Sequence, residues 1–183
     1  RQKEIKIFDE ILLSPSPEFL AVYGRRRVGK TYLIKEFFGK QTGIFFELTG
    51  LNDGSLKDQL ANFSVSLAKA FYQGAEMAIQ KKWMDALRQL SDAIDKTPLN
   101  KRVIIFLDEL PWLCTKKSGF LKALEYFWNT HWSSRKKLVL IVCGSAASWM
   151  LEKIVYAKGG LHNRITVNMP LYPFCLKEAQ KYL

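Results

Sequence analysis

Gly24-Arg25-Arg26-Arg27-Val28-Gly29-Lys30-Thr31 satisfies the pattern G-x-x-x-x-G-K-[ST], a loop whose backbone N–H groups wrap around the phosphates of a nucleotide. Each residue type has a physical reason. Gly24 and Gly29 admit backbone conformations that a side chain would block, and let the chain approach the phosphates closely. Lys30 supplies a mobile ammonium for the β- and γ-phosphates, and Thr31 a hydroxyl ligand for Mg²⁺. The intervening Arg25, Arg26, Arg27 and Val28, and Tyr32 just after, complete the predicted nucleotide-binding stretch. Successive amides and the start of the next helix add partial positive charge. The flanks fit: Phe19-Leu20-Ala21-Val22-Tyr23 reads as a buried strand, and Tyr32-Leu33-Ile34-Lys35-Glu36-Phe37-Phe38 as the opening of a helix.

A second group of polar residues lies downstream. Leu107-Asp108-Glu109 ends the most apolar strand pattern in the chain. Asp108 there is placed to hold Mg²⁺ opposite Thr31. Glu109 points differently and can orient and deprotonate the water that attacks a γ-phosphate. Gly144-Ser145 follows another strand, ending at Cys143. If that strand lies between the Gly24 and Asp108 strands, Ser145 can bond the attacking water or the γ-phosphate. The alternative is a helix N-cap, by Ser145 or Ser148. Arg164 stands at the entrance to a final strand, after Lys158-Gly159-Gly160. It reads either as a guanidinium for the γ-phosphate, supplied by a neighbouring subunit, or as a surface or salt-bridged arginine. His162 beside it reads as hydrogen-bonded or solvated.

The order of elements is that of an α/β domain. Ile5, Phe8, Ile11 and Leu12 recur at helical spacing before Ser14-Pro15-Ser16-Pro17 breaks the chain. Further strands are expected at 43–48, 102–107, 138–143 and 164–168. Helices are marked by Leu56 to Phe71, by Trp83 to Ile94 (ending before Pro98), by Phe120 to Trp128, and by Leu176 to Leu183 at the end of the chain. Strands alternating with helices mean βαβ units around a mostly parallel sheet. Ligands of such sheets bind beyond the carboxyl ends of the strands, where each of the polar groups above is expected.

The chain of 183 residues has the bulk of one domain, 48% hydrophobic and 25% charged. No apolar run reaches membrane-span length, and the start, Arg1-Gln2-Lys3-Glu4-Ile5, has no apolar core of a signal peptide. The absence of an initial Met and the helical pattern running to Leu183 read as part of a longer protein. Cys114, Cys143 and Cys175 are isolated, which argues against a zinc site or a disulfide framework and favours a reducing cytoplasm, each thiol serving as a small apolar side chain. The formal charge is +11. Its short basic clusters (Arg25 to Arg27, Lys81-Lys82, Lys116-Lys117, Arg135-Lys136-Lys137) attract nucleic acid or are balanced by acidic surface elsewhere in a longer protein.

With these residues in view, the chain resembles the archaeal-type AAA+ ATPases of the MNS clade, within the additional-strand catalytic glutamate division of P-loop NTPases. The resemblance rests on Tyr23 to Thr31, with its unusual Arg triplet, and on Phe106-Leu107-Asp108-Glu109-Leu110-Pro111-Trp112-Leu113. It continues through Cys143-Gly144-Ser145-Ala146-Ala147-Ser148-Trp149-Met150, then Leu161-His162-Asn163-Arg164 and Met169-Pro170-Leu171 with Glu178. Asn163 stands where members often have Gly. The resemblance implies one AAA+ ATP-binding core over residues 1–183, a three-layer αβα sandwich with sheet order 5-1-4-3-2, and ATP with Mg²⁺ as ligands. It also implies a helical lid and a winged-helix or nuclease-like region beyond Leu183; the lid normally supplies a further arginine to the nucleotide.

Three functions follow from this reading: an ATPase that drives conformational change in a larger protein and acts on DNA, a slowly hydrolysing signalling switch, and a small-molecule kinase. Glu109 weighs against the third. Partners expected are ATP, DNA through the basic surface or a C-terminal region, and further copies of the chain, with no membrane. The Arg triplet faces the phosphates, DNA or another subunit; Trp112 is expected to pack on the helix after Glu109.

Overall fold

The protein is described by a computed structural model over residues 1–115, 117–156, 159, 161 and 163–174. Lys116, Lys158, Gly160, His162, Cys175, Glu178 and the helix expected at 176–183 lie outside the described residues.

Five strands form one parallel sheet in the order β2-β3-β4-β1-β5. They are β1 (Glu18–Tyr23), β2 (Ile44–Thr49), β3 (Val103–Asp108), β4 (Leu138–Gly144) and β5 (Val167–Pro170). Read from the other edge, this is the expected order 5-1-4-3-2. All four pairings are parallel, with Leu20 beside Ile141 and Val167, and Ile105 beside Phe46 and Leu140. The central strands β3 and β4 are buried at every position, which is why they read as unbroken apolar runs and not as an alternating pattern.

Alternate residues of each strand feed two separate cores. Leu20, Val22, Ile104, Phe106, Val139 and Ile141 pack on one face against Phe8 and Ile11 of α1 (Gln2–Leu13) and Leu33, Ile34 and Phe38 of α2 (Lys30–Phe38). Phe19, Ala21, Phe46, Leu48, Ile105, Leu107 and Leu140 pack on the other, against α3 (Leu56–Phe71), α4 (Trp83–Asp95) and α6 (Phe120–Thr130). Two short helices, α5 (Leu110–Leu113) and α7 (Ala147–Met150), follow β3 and β4 directly. The chain thus leaves β1 towards one face and β3 towards the other, and a crevice opens above β4.

Local chemistry sets the boundaries. Ser55 and Asp58 form a reciprocal capping box at the start of α3. The buried Arg135 closes the carboxyl end of α4 by donating to the carbonyls of Thr97, Pro98 and Leu99. Among the described residues, no helix is long and apolar enough to cross a membrane.

The last strand departs from its sequence expectation. The chain turns at Asn163 and Arg164, and β5 starts only at Val167. A short edge strand that pairs with one neighbour carries no strong hydrophobic signature. The register fixes the consequence: Val167 lies beside Leu20 and Pro170 beside Tyr23. Arg164 therefore lies at the amino end of the sheet, not at the carboxyl end with the other polar groups.

Candidate functional site

The loop between β1 and α2 is shaped by two glycines with different reasons. Gly24 has φ +153, and a Cβ there would fall 2.2 Å from the carbonyl oxygen of Leu171. Leu171 comes this close because its N–H donates to the Tyr23 carbonyl at 2.7 Å as the chain leaves β5. Gly24 is thus required by the packing of β5, beyond any approach of phosphate. Gly29 has open space around it but φ +88, which starts α2 from the left-handed region.

Lys30 is 6% exposed, and its Nζ donates to the carbonyls of Gly24 at 3.0 Å and Arg25 at 2.9 Å. The ammonium therefore spans the loop from inside. Arg25, Arg26 and Arg27 are exposed, and Arg27 also takes a left-handed φ of 63°. Residues 25–29 line a cleft of about 590 Å³ together with Pro173 and Phe174. Arg1 closes one side of it, donating to the Val28 carbonyl at 2.8 Å and lying 4.3 Å over the Phe174 ring. Nothing in the sequence pattern singled out Arg1 or Phe174, because each is far from the motif in the chain. Tyr32, in the first turn of α2, is 72% exposed.

Across the crevice, Thr31 Oγ1 donates to Asp108 Oδ2 at 2.8 Å. Asp108 is 4% exposed, and its other oxygen accepts from the Glu109 N–H at 3.0 Å. Burial pushes the Asp108 carboxyl above its ordinary range, while bonds from Thr31 and the Cys143 thiol and the Glu109 N–H pull it back. Burial likewise raises the Cys143 thiol, with Asp108 adding to the shift. These donors fit Mg²⁺ by their chemistry: one carboxylate and one hydroxyl, both hard oxygens, lie 2.8 Å apart. Cys114, by contrast, is half-buried with its thiol strongly raised by burial, and lies apart from the site.

Glu109 has φ 46° and ψ 51°, a left-handed conformation that costs a non-glycine residue roughly 1–3 kcal/mol. That turn sends its carboxylate away from Asp108 and towards β4. Glu109 Oε2 accepts from the Ser145 hydroxyl at 3.0 Å and from the Ser145 N–H at 3.3 Å. β4 does lie between β1 and β3, the condition on which Ser145 could face this cleft. Helix α7 starts after Ala146 with no side-chain cap, so neither Ser145 nor Ser148 acts as its N-cap. Arg26 Nε reaches the Ser145 Oγ at 3.5 Å, and its guanidinium lies 5.8 Å from the centre of the Trp112 ring. Trp112 is half-buried on α5.

Sequence reasoning missed Gln59 of α3, 2% exposed. Its amide donates to the carbonyls of Leu51 at 2.7 Å and Trp112 at 3.2 Å and accepts from the Leu51 N–H at 3.0 Å. It ties the loop after β2 to the turn carrying Glu109, and a glutamine on a helix face gives no periodic signal of this. Arg164 is exposed and stands before β5, so that the whole of that strand, about 10 Å, and the turn ahead of it separate Arg164 from the phosphate loop of the same chain. The fold brings Lys30, Thr31, Asp108, Glu109, Ser145 and the Arg triplet together, and leaves Arg164 apart.

Comparison with known proteins bears on the family and the fold. Residues 1–182 match a family described as an ATPase domain predominantly from Archaea. The uncharacterised protein MJECL04 of Methanocaldococcus jannaschii is 28% identical over 183 residues, which are 100% of this chain and 37% of that protein. The Walker-type ATPase PABY2304 of Pyrococcus abyssi shares the fold with a TM-score of 0.63 at 19% identity, over 100% of this chain and 56% of the other. The Aeropyrum pernix ORC2 protein, solved as ADPNP–ADP complexes, gives 0.66 at 18% identity, over 99% and 49%. The chain thus spans 37% of the length of its curated relative, and about half of each of these structures.

Proposed function

Because the chain belongs to the family of ATPase domains predominantly from Archaea, we propose that it binds Mg·ATP in the crevice above β4 and hydrolyses it to drive conformational change in a longer protein. The observation that carries this reading is the 2.8 Å bond from Thr31 to Asp108, which joins the phosphate loop to the end of β3 around a buried ammonium. Solved relatives of the fold include a Walker-type ATPase and a protein held in nucleotide complexes, which supports the same ligand here.

Each residue then has a task. Lys30 gives up the Gly24 and Arg25 carbonyls and turns its ammonium to the β- and γ-phosphates. The amides of Arg25 to Thr31 donate to the phosphate oxygens, and Tyr32 borders them from the first turn of α2. Thr31 and Asp108 are the residues that would hold Mg²⁺, which when bound neutralises phosphate charge. Glu109 orients the attacking water and takes its proton, and Ser145 senses the γ-phosphate beside it. Arg164 lies too far from its own cleft and serves a neighbouring copy, which makes the active assembly a homo-oligomer. Within the family we place the chain in the MNS clade of archaeal-type AAA+ ATPases, cytoplasmic and, through its basic surface, acting on DNA.

A second reading is favoured by one contact: both Ser145 donors already occupy Glu109 Oε2. A base held in this way suits a slowly hydrolysing switch. One experiment separates the readings. The full-length protein is titrated with ATP by calorimetry, with and without Mg²⁺, and turnover is measured with and without DNA. Mg²⁺-dependent binding with strong DNA stimulation supports the first reading, and slow DNA-insensitive turnover the second. No binding by a folded sample overturns both.

A further inference from the structure

The Arg triplet is not uniform. Arg25 and Arg27 are exposed, and neither side chain makes a hydrogen bond or ion pair with the described residues. Arg26 alone is engaged, and both its contacts lead to Glu109. Its Nε donates to the Ser145 Oγ at 3.5 Å, and that hydroxyl in turn donates to Glu109 Oε2 at 3.0 Å. Its guanidinium lies over Trp112 of α5, whose backbone N–H donates to the Glu109 carbonyl at 2.9 Å. The ring Arg26–Ser145–Glu109–Trp112 is thus closed through three different elements of the fold.

From this geometry we propose that Arg26 couples occupancy of the γ-phosphate position to Glu109. In the conformation described it spans Ser145 and Trp112, and a γ-phosphate draws it away from both. The proposal rests on the ATP-binding reading above, and adds to it a positioning residue and the way it is switched.

The strengths of the competing contacts favour the move. A separation of 3.5 Å is at the outer limit of a hydrogen bond, and 5.8 Å is close to the limit of a useful cation–π contact. Both partners are neutral. A phosphate offers charged oxygens in a spacing that matches the planar guanidinium fork, and such charge-assisted pairs are roughly twice as strong as neutral ones. Arg26 is exposed and meets no packing barrier to the change. While Arg26 donates to the Ser145 Oγ, it occupies a lone pair and leaves the hydroxyl proton directed at Glu109. Once Arg26 departs, that hydroxyl is free to rotate towards the phosphate, and Glu109 Oε2 keeps only the longer bond from the Ser145 N–H. Oε2 of the base is then released to water when a γ-phosphate is present to be attacked.

The test uses the tryptophan as reporter. Full-length wild type, Arg26→Gln, Arg26→Lys and Trp112→Phe are titrated with Mg²⁺ and a non-hydrolysable ATP analogue, and separately with Mg·ADP. Intrinsic fluorescence and calorimetric binding are followed in parallel. The expected result is a fluorescence change in wild type with the analogue and not with ADP, absent in Trp112→Phe and in Arg26→Gln. Arg26→Gln should still bind the analogue, within about tenfold of wild type, because Lys30 and the loop amides remain. Its kcat for ATP should fall by roughly tenfold or more while KM moves less, and Arg26→Lys should recover only part of it. A fluorescence change that persists in Arg26→Gln, is as large with ADP, or is missing from a wild type that binds the analogue overturns the proposal and leaves the ATP-binding reading standing. A wild type that binds no nucleotide overturns that reading itself.

Discussion

Asp108 and Glu109 are neighbours in the chain and both carry carboxylates, yet the fold treats them in opposite ways. Asp108 is 4% exposed, ends a fully buried strand, and has its oxygens taken by Thr31 and by the Glu109 N–H. Glu109 is half-buried in a left-handed turn, and its carboxylate is met by the Ser145 hydroxyl at 3.0 Å and the Ser145 N–H at 3.3 Å. On the reading proposed above, the phosphate and metal half of the cleft, Lys30 with Thr31 and Asp108, is tied together by bonds of 2.8–3.0 Å. The water-activating half, Glu109 with Ser145, Arg26 and Trp112, is held by longer contacts. On that reading the binding half needs only Lys30 to turn from the loop carbonyls to phosphate, while the catalytic half waits on a wider rearrangement.

The comparison is broken most severely at Lys30. Lys30→Ala removes the ammonium that replaces two loop carbonyls by two phosphate oxygens. Charge-assisted contacts contribute about 1.5–3 kcal/mol each, so nucleotide affinity should fall by about 100-fold or more. Calorimetric titration of the full-length variant measures this, and affinity within tenfold of wild type would remove Lys30 from the binding half. Glu109→Gln should act on the other half alone. It keeps the shape and the Ser145 contacts but cannot accept a proton, so turnover should drop by about 10²-fold or more with ATP binding unchanged. A Glu109→Gln protein that hydrolyses ATP normally would show that the base lies elsewhere.

The two loop glycines sharpen the same contrast. A methyl group at Gly24 would collide with backbone of Leu171 at 2.2 Å, and neither partner is a flexible side-chain tip. Gly24→Ala should therefore loosen β5 and cost about 3 kcal/mol of stability by overpacking. At Gly29 the methyl group meets nothing within 4 Å and only the positive φ is penalised, by about 1 kcal/mol. Equilibrium denaturation of the two variants measures the gap. Equal losses would mean that β5 does not depend on Gly24 for its seat.

Much of this was legible in the sequence, and the failures have physical causes. The buried strands announced themselves because parallel strands covered on both faces need apolar residues at every position, as in Val103 to Leu107 and Leu138 to Cys143. The phosphate loop was legible because glycine and lysine are required there by geometry and charge. β5 was set three residues early, since a four-residue edge strand with the burial of Val167 to Pro170 has no periodicity to read. Arg164, at the entrance of that strand, was expected with the other polar groups at the carboxyl ends, but the parallel register sets a strand's entrance at the opposite end of the sheet. The link from Arg26 to Ser145 spans 119 positions, and the clamp from Gln59 to Trp112 spans 53. Contacts of that range come from topology, and a single sequence gives no local sign of them.

The smallest effect, and the one that tests the buried half most directly, is at Asp108. Its folded carboxyl is raised above the ordinary value of 3.8 by burial. Between 3.8 and the folded value, the native state keeps a proton that the unfolded chain has already lost. Stability conferred by that proton is complete below the unfolded value and is lost as pH rises through the folded one. Above 3.8, burial of the Asp108 carboxyl therefore weighs against the fold. Asp108→Asn removes the charge and keeps the shape. Its Oδ1 still accepts from the Glu109 N–H, and the Thr31 hydroxyl can turn to accept from the new amide. The variant should melt above wild type at pH 7 without nucleotide and metal, the difference narrowing as the pH approaches 3.8. It should also gain little from Mg·ATP, where wild type gains much. If Asp108→Asn melts below wild type at pH 7, the buried carboxylate is there for the structure, and the division between a closely bonded binding half and a waiting catalytic half fails at its best-defined residue.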